Sequence, residues 1–171
     1  TTLYAALSEI DIFSQNVVTI EDPVEYQISG INQVQVDLRV DRTFANMLRS
    51  VVRQDTNVMM VGEIRDADTA DVAVRAALTG HLVFSTLHAN DSVGAIDTLT
   101  HLGIRPFLIA SALVAVVAQR LVRRICPACR VEHAPSEAML ASVGLTPEDA
   151  KEITFYKPVG CDRCNQTGYK G

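Results

Sequence analysis

The sequence has little that would place it in a membrane, in an oxidised secreted framework or on nucleic acid. Its longest apolar run, Phe107 to Ala118, is twelve residues long with Ser111 inside it, short of the roughly 20 that a spanning helix needs. No transmembrane helix is expected. Four cysteines in 171 residues are few for the disulfide framework of a secreted chain. Aromatic residues make up only 5% and the formal net charge is −5, whereas nucleic-acid binding needs clustered Lys and Arg and stacking rings. There is no internal repeat at the usual periods and no low-complexity tract. The chain opens on Thr1-Thr2-Leu3-Tyr4 without an initiator Met, so the lack of a signal peptide carries no information and the chain reads as a fragment.

What is present describes a globular chain of about one domain with a small appendage: 48% hydrophobic and 20% charged residues. Charge is divided unevenly, with net −8 over residues 1–100 and net +3 over 101–171, which suggests two parts with different tasks. Three continuous apolar runs, Val17–Ile20, Val58–Val61 and Leu82–Thr86, read as buried parallel strands, since half-solvated strands alternate instead. Between them Phe44, Met47, Leu48, Val51 and Val52 recur at helical spacing, and Asp66 to Leu78 places Ala67, Ala70, Val74 and Ala77 on one face before Gly80. Strand and helix in alternation predict an α/β sheet with crossover helices. Tyr26 to Val36 reads as an antiparallel excursion, Leu3 to Ile10 as a first helix, and the stretch after Pro106 as a helix running to about Arg124.

Ligands of an open parallel sheet sit at the carboxyl ends of its strands, so Glu21, Asp22, Glu25, Glu63, Arg65, Asp66 and His88 are expected to share one crevice. Carboxylates gathered there repel one another unless a divalent cation or a bound water organises them, and magnesium with phosphates suits such oxygen ligands. Glu21 and Asp22 can equally be a turn before Pro23. Glu63, closing an apolar strand, fits a group that holds a metal or orients an attacking water. His81 and His88 flank one strand and are not expected to share a metal. His81 fits a hydrogen-bonded residue near a helix C-terminus, and His88 a phosphate contact.

Cys126-Pro127-Ala128-Cys129 and Cys161-Asp162-Arg163-Cys164, separated by 31 residues, predict a closed tetrahedral thiolate site for a structural zinc in a reducing compartment. Metal ligation of this type is worth roughly 10–16 kcal/mol, enough to hold a segment with little apolar core. Arg120, Arg123, Arg124 and Arg130 read as a solvated helix end.

Three ordered stretches carry a family resemblance over nearly the whole chain. Val18-Thr19-Ile20-Glu21-Asp22-Pro23-Val24-Glu25-Tyr26 resembles the aspartate box of the secretion (traffic) ATPases of type II secretion and type IV pilus assembly. Leu48 to Asp55, leading into Val61-Gly62-Glu63-Ile64-Arg65-Asp66, resembles their atypical Walker B segment, and Thr79 to Asn90 their histidine box. The tetracysteine pattern closing on Gly168-Tyr169-Lys170-Gly171 is similar to the secretion and pilus-extension branch. The resemblance implies a RecA-like P-loop NTPase core over residues 1–125 and a tetracysteine subdomain over 126–171. It implies Glu63 as principal catalytic carboxylate, Glu21, Asp22 and Glu25 around magnesium and water, and functional roles for His81 and His88. Arg39, Arg49, Arg53 and Arg65 become candidates for contacting phosphates or a neighbouring subunit.

ATP, Mg2+ and Zn2+ are the implied ligands. A homohexamer working on an inner-membrane platform protein, cytoplasmic and touching the membrane only through partners, is the implied assembly. In that family a GxxxxGK[ST] loop directly precedes the Thr-Thr-Leu-Tyr-Ala segment and the chain continues past the final Gly-Tyr-x-Gly. These 171 residues are therefore expected to lack the P-loop and its strand, to be incomplete at the C-terminus, and to be inactive alone. A zinc-stabilised interaction module without hydrolysis and a DNA-translocating hexameric ATPase are the competing readings. The acidic first hundred residues weigh against the latter.

Overall fold

The computed structural model describes residues 2–170 and divides into two compact units, Thr1–Gln119 and Arg120–Gly171. In the first, the chain runs through α1 (Thr2–Ser8), β1 (Val17–Glu21), β2 (Asn32–Gln35), α2 (Phe44–Val51), β3 (Val58–Ile64), α3 (Ala67–Leu78), β4 (Leu82–Leu87), α4 (Ser92–His101) and α5 (Pro106–Ala112). The sheet has the order β2-β1-β3-β4 and all its pairs are parallel. This is the α/β architecture the strand and helix alternation predicts.

All five residues of β1 and the first four of β3 are buried, which is why these strands are mostly apolar without alternation. Successive side chains point to opposite faces. Val18, Ile20, Met59 and Val61 pack with Leu48 and Val51 of α2, Ala70, Ala73 and Val74 of α3, and Ile109 of α5. Val17, Val58 and Met60 pack instead with Tyr4 and Leu7 of α1. Side-chain caps start α2, α3 and α4. Thr43 Oγ1 accepts from Asn46 N–H at 3.2 Å, Asp66 Oδ1 from Thr69 N–H at 2.8 Å and Asp91 Oδ1 from Gly94 N–H at 2.7 Å, satisfying donors that a helix leaves open.

Two expectations are corrected. The stretch 26–36 is no antiparallel excursion, because β2 joins β1 in parallel register, Val18 beside Asn32 and Glu21 beside Gln35. The chain returns to the start of β1 through a non-helical loop that turns at Gly30 (φ +82°), where an added Cβ would fall 2.4 Å from Ile12 Cδ1. Nor does the helix after Pro106 reach Arg124. Its last backbone bond runs from Leu113 N–H to Ile109 O, Leu113 is extended (φ −81°, ψ 114°), and no regular element covers 113–124. Val114, Val116, Val117 and Val122 fall in that stretch, and β-branched side chains lose rotamer freedom in a helix.

The second unit holds β5 (Val131–Glu132), α6 (Glu137–Ser142) and β6 (Tyr156–Lys157), with β5 and β6 antiparallel. Ile125 bridges Tyr169, closing the chain on itself beside the first cysteine pair. Arg123 and Arg130 do not end a helix: they lie over the rings of Tyr169 and Tyr156 at 4.3 and 4.1 Å, a cation–π arrangement. Among the described residues no helix is long and apolar enough to cross a membrane.

Candidate functional site

Glu63 stands near the carboxyl end of β3, its side chain 15% exposed, with Oε2 2.5 Å from Arg65 Nε and 3.6 Å from His88 Nε2. Three predicted residues are thereby brought together, and the backbone explains how. Register between β3 and β4 shifts between Val61 and Ile64, as at a bulge that re-aims a side chain. Ser85 Oγ donates to Val61 O and Thr86 Oγ1 to Gly62 O, each at 2.8 Å, tying the irregular stretch to β4. A Cβ on Gly62 would lie 3.3 Å from Ile20 O, so glycine permits β1 to approach closely just before Glu63.

Glu21 is engaged differently. Only 3% exposed, its Oε1 accepts from Thr19 Oγ1 at 2.6 Å and from Gln33 Nε2 at 3.0 Å, and its Oε2 accepts from the Tyr4 hydroxyl. Its three donors are all neutral. Tyr4 in turn accepts from Glu25 N–H at 3.3 Å and packs against Tyr26 with ring centroids 4.4 Å apart. Burial, and then the bond to the Glu21 carboxylate, push the Tyr4 phenol above its ordinary value. Asp22 and Glu25 are exposed. Tyr4 and Gln33 were not foreseen. The available signal was a hydroxyl on the inward face of α1, where Tyr4 and Leu7 are the buried residues.

The other predicted residues are dispersed. Both Asp66 oxygens are taken by Thr69, at 2.8 Å from its N–H and 2.9 Å from its Oγ1. His81 lies at the opposite end of β4 from His88, with Nδ1 2.9 Å from Ala76 O and 3.2 Å from Thr79 Oγ1 at the end of α3. Arg39 grips Asp37 through Nε and Nη2 at 2.9 and 2.8 Å. That pairing holds the Asp37 carboxyl below, and the guanidinium above, its usual value. Arg49 Nη1 donates to Asn46 Oδ1 at 3.0 Å, and Arg53 is exposed in the turn after α2. Of the four arginines, Arg65 is the one that meets a predicted crevice carboxylate. Beyond His88 an open recess of about 590 Å³ runs along α4, past Asn90, Asp91, Val93, Gly94 and Asp97.

In the second unit the four cysteines are free thiols whose sulfurs all lie within 4.8 Å of one another. Cys129 to Cys164 and Cys161 to Cys164 are each 3.8 Å. Zinc–sulfur bonds of about 2.3 Å at tetrahedral angles put sulfurs about 3.8 Å apart, so the residues fit a zinc ion. Backbone N–H groups point at the sulfurs: Cys161 and Gly168 donate to Cys164 Sγ at 3.2 Å, and Gly160 to Cys129 Sγ at 3.3 Å. Burial raises the Cys164 thiol, but the donors and neighbouring thiols outweigh it and bring it to about 6. Cys129, raised by burial and by its thiol neighbours against the Gly160 donor, goes to about 11.

Residues 1–171 match the Type II/IV secretion system protein family throughout. The chain is 53% identical over 171 residues to the type II secretion system protein E of Aeromonas hydrophila, covering 100% of this chain and 34% of that protein. It is 50% identical over 170 residues to the type IV pilus assembly ATPase PilB of Thermus thermophilus, covering 99% of this chain and 19% of that one. Among solved structures, the pilus retraction motor PilT with bound ADP superposes with a TM-score of 0.56 at 38% identity. That match covers 66% of this chain and 36% of the PilT chain. The chain spans about a third of the length of type II secretion relatives such as the Aeromonas protein. From the match along its whole length, this chain belongs to the Type II/IV secretion system protein family.

Proposed function

We propose that these residues are part of the ATP-hydrolysing domain of a hexameric motor that powers assembly of pilin or pseudopilin subunits, in type II secretion or type IV pilus biogenesis. The observation that carries the reading is Glu63, oriented by Arg65 and facing His88 at the carboxyl end of a parallel strand, in a chain so similar to secretion protein E. A carboxylate tied through one oxygen is pre-oriented, and water positioning of this kind is what phosphoryl transfer to water requires. Glu63 polarises the attacking water, or holds magnesium through it, and His88 contacts the phosphates. Asp22 and Glu25, exposed oxygen donors beside β1, complete the surroundings of the metal. Magnesium, when bound with ATP, neutralises charge on the phosphates. Arg65 is the arginine favoured for that crevice, with Arg39, Arg49 and Arg53 left for contacts with a neighbouring subunit.

The first unit corresponds to a RecA-like core. No GxxxxGK[ST] stretch occurs in these residues, and those residue types cradle the phosphates in P-loop enzymes, so the 171 residues alone do not turn over ATP. The tetracysteine unit holds a closed, structural zinc. The motor acts at the cytoplasmic face of the inner membrane through a platform protein. ATP turnover by the full-length gene product, compared with its Glu63→Gln variant, tests the reading. Glu63-dependent turnover is expected; its absence in a hexameric preparation would favour a zinc-stabilised interaction module. Salt-dependent DNA binding would instead point to a translocase.

A further inference from the structure

Among the described residues the buried carboxylate of Glu21 meets no cation, although a buried charge is ordinarily paired. Its charge is held by three neutral donors from three different elements: Tyr4 on α1, Thr19 on β1 and Gln33 on β2. Of these, Tyr4 does two things at once, since its oxygen also accepts the N–H of Glu25 at 3.3 Å. The phenol therefore links the helix to both ends of the turn Glu21–Glu25, which carries the exposed carboxylates Asp22 and Glu25. Packing alone does not call for the hydroxyl. A phenylalanine would fill the same place beside Leu7, Val58 and Met60 and lie against Tyr26 equally well.

We infer that Tyr4 is a positioning residue: by donating to Glu21 and accepting from Glu25 N–H, its hydroxyl fixes the Glu21–Glu25 turn on which the crevice carboxylates Asp22 and Glu25 are presented. This rests on the ATPase reading above for its effect on catalysis, but not for the bond itself. Glu21, on this view, acts through the turn and is not itself a metal ligand, both its oxygens being engaged from within the fold.

The test compares Tyr4→Phe, Thr19→Val and Glu21→Gln with the parent in the full-length gene product, by ATP turnover and by amide exchange at Glu25. Tyr4→Phe is expected to lower kcat about tenfold, the effect of losing one hydrogen bond to a charged group, with KM for ATP within about twofold. The Tyr4→Phe/Glu21→Gln double variant should be no slower than the slower single one, because both remove the same link. Exchange at the Glu25 amide should accelerate in Tyr4→Phe while the Val18–Ile20 amides keep their rates. Unchanged Glu25 exchange overturns the inference whether or not ATP is hydrolysed. Additive losses, or a kcat loss below about twofold in Tyr4→Phe, overturn the positioning role. Thr19→Val, which removes a donor without touching α1, guards against a misfolded Tyr4 variant: it should slow turnover and leave Glu25 exchange alone. A parent with no ATP turnover refutes the ATPase reading and leaves the exchange arm to decide the link.

Discussion

Arg65 Nε lies 2.5 Å from Glu63 Oε2, and the same oxygen faces His88 Nε2 at 3.6 Å. Glu63→Gln keeps the size of the side chain and removes its charge. In the full-length gene product ATP turnover is expected to fall at least about a hundredfold, the lower end of what a positioned acid or base contributes. ATP affinity, measured by equilibrium binding, should change only a few-fold, since ground-state contacts to the phosphates persist.

The sulfur geometry makes a prediction about metal content. Purified protein should hold about one zinc per chain. A chelator, or Cys164→Ser, should unfold residues 120–171 while residues 2–119 keep their amide protection, because ligation worth roughly 10–16 kcal/mol exceeds what a small two-stranded unit buries. Full protection of the second unit in metal-free protein would contradict the assignment.

Gly168 has φ +75°, and a Cβ there would sit 2.6 Å from Pro158 Cβ. Its N–H donates to Cys164 Sγ and its carbonyl accepts from Cys126 N–H at 2.9 Å. Gly168→Ala should therefore cost about 1–3 kcal/mol through backbone strain and weaken zinc retention, read as faster metal transfer to a chromogenic chelator. Gly144→Ala, also at positive φ but with open space around it, should leave zinc retention unchanged.

Tyr4 sets an alkaline limit. Its folded phenol is raised above 10.0 by burial and by Glu21, so the unfolded chain loses this proton first as pH rises. The stabilising contribution is complete below pH about 10 and is lost as pH climbs through the raised folded value. Urea midpoints measured upward from pH 9 should decline more steeply for the parent than for Tyr4→Phe, which has no proton to lose.

Much of the fold was legible in local chemistry. Val58–Val61 reads as a buried strand because nothing polar interrupts it, Val17–Ile20 because a single threonine is its only polar residue, and the apolar face of Ala67, Ala70, Val74 and Ala77 marks α3. The misread elements failed for equally local reasons. A twelve-residue apolar run has the same composition whether coiled or extended, so its apolarity alone did not tell where the helix after Pro106 ends. The polar edge strand Asn32–Gln35 carried no periodicity by which its direction could be told.

The site divides along the same line. The chain alone named Glu63, Arg65 and His88 as crevice residues, since each follows or closes an apolar run and parallel strands end together. It paired the cysteines too, because CxxC spacing is itself the geometry of a thiolate site. Which carboxylates face outward was not written there. Glu21 and Asp22 are neighbours in sequence with the same charge, yet one is buried among Tyr4, Thr19 and Gln33 and the other is exposed. Glu21 is the last residue of β1 and Asp22 lies in the bend beyond it, and two of the three donors that meet Glu21 come from elements 17 residues earlier and 12 later. A burial decided by partners so distant becomes fixed only when the helix, the strand and its edge neighbour pack together.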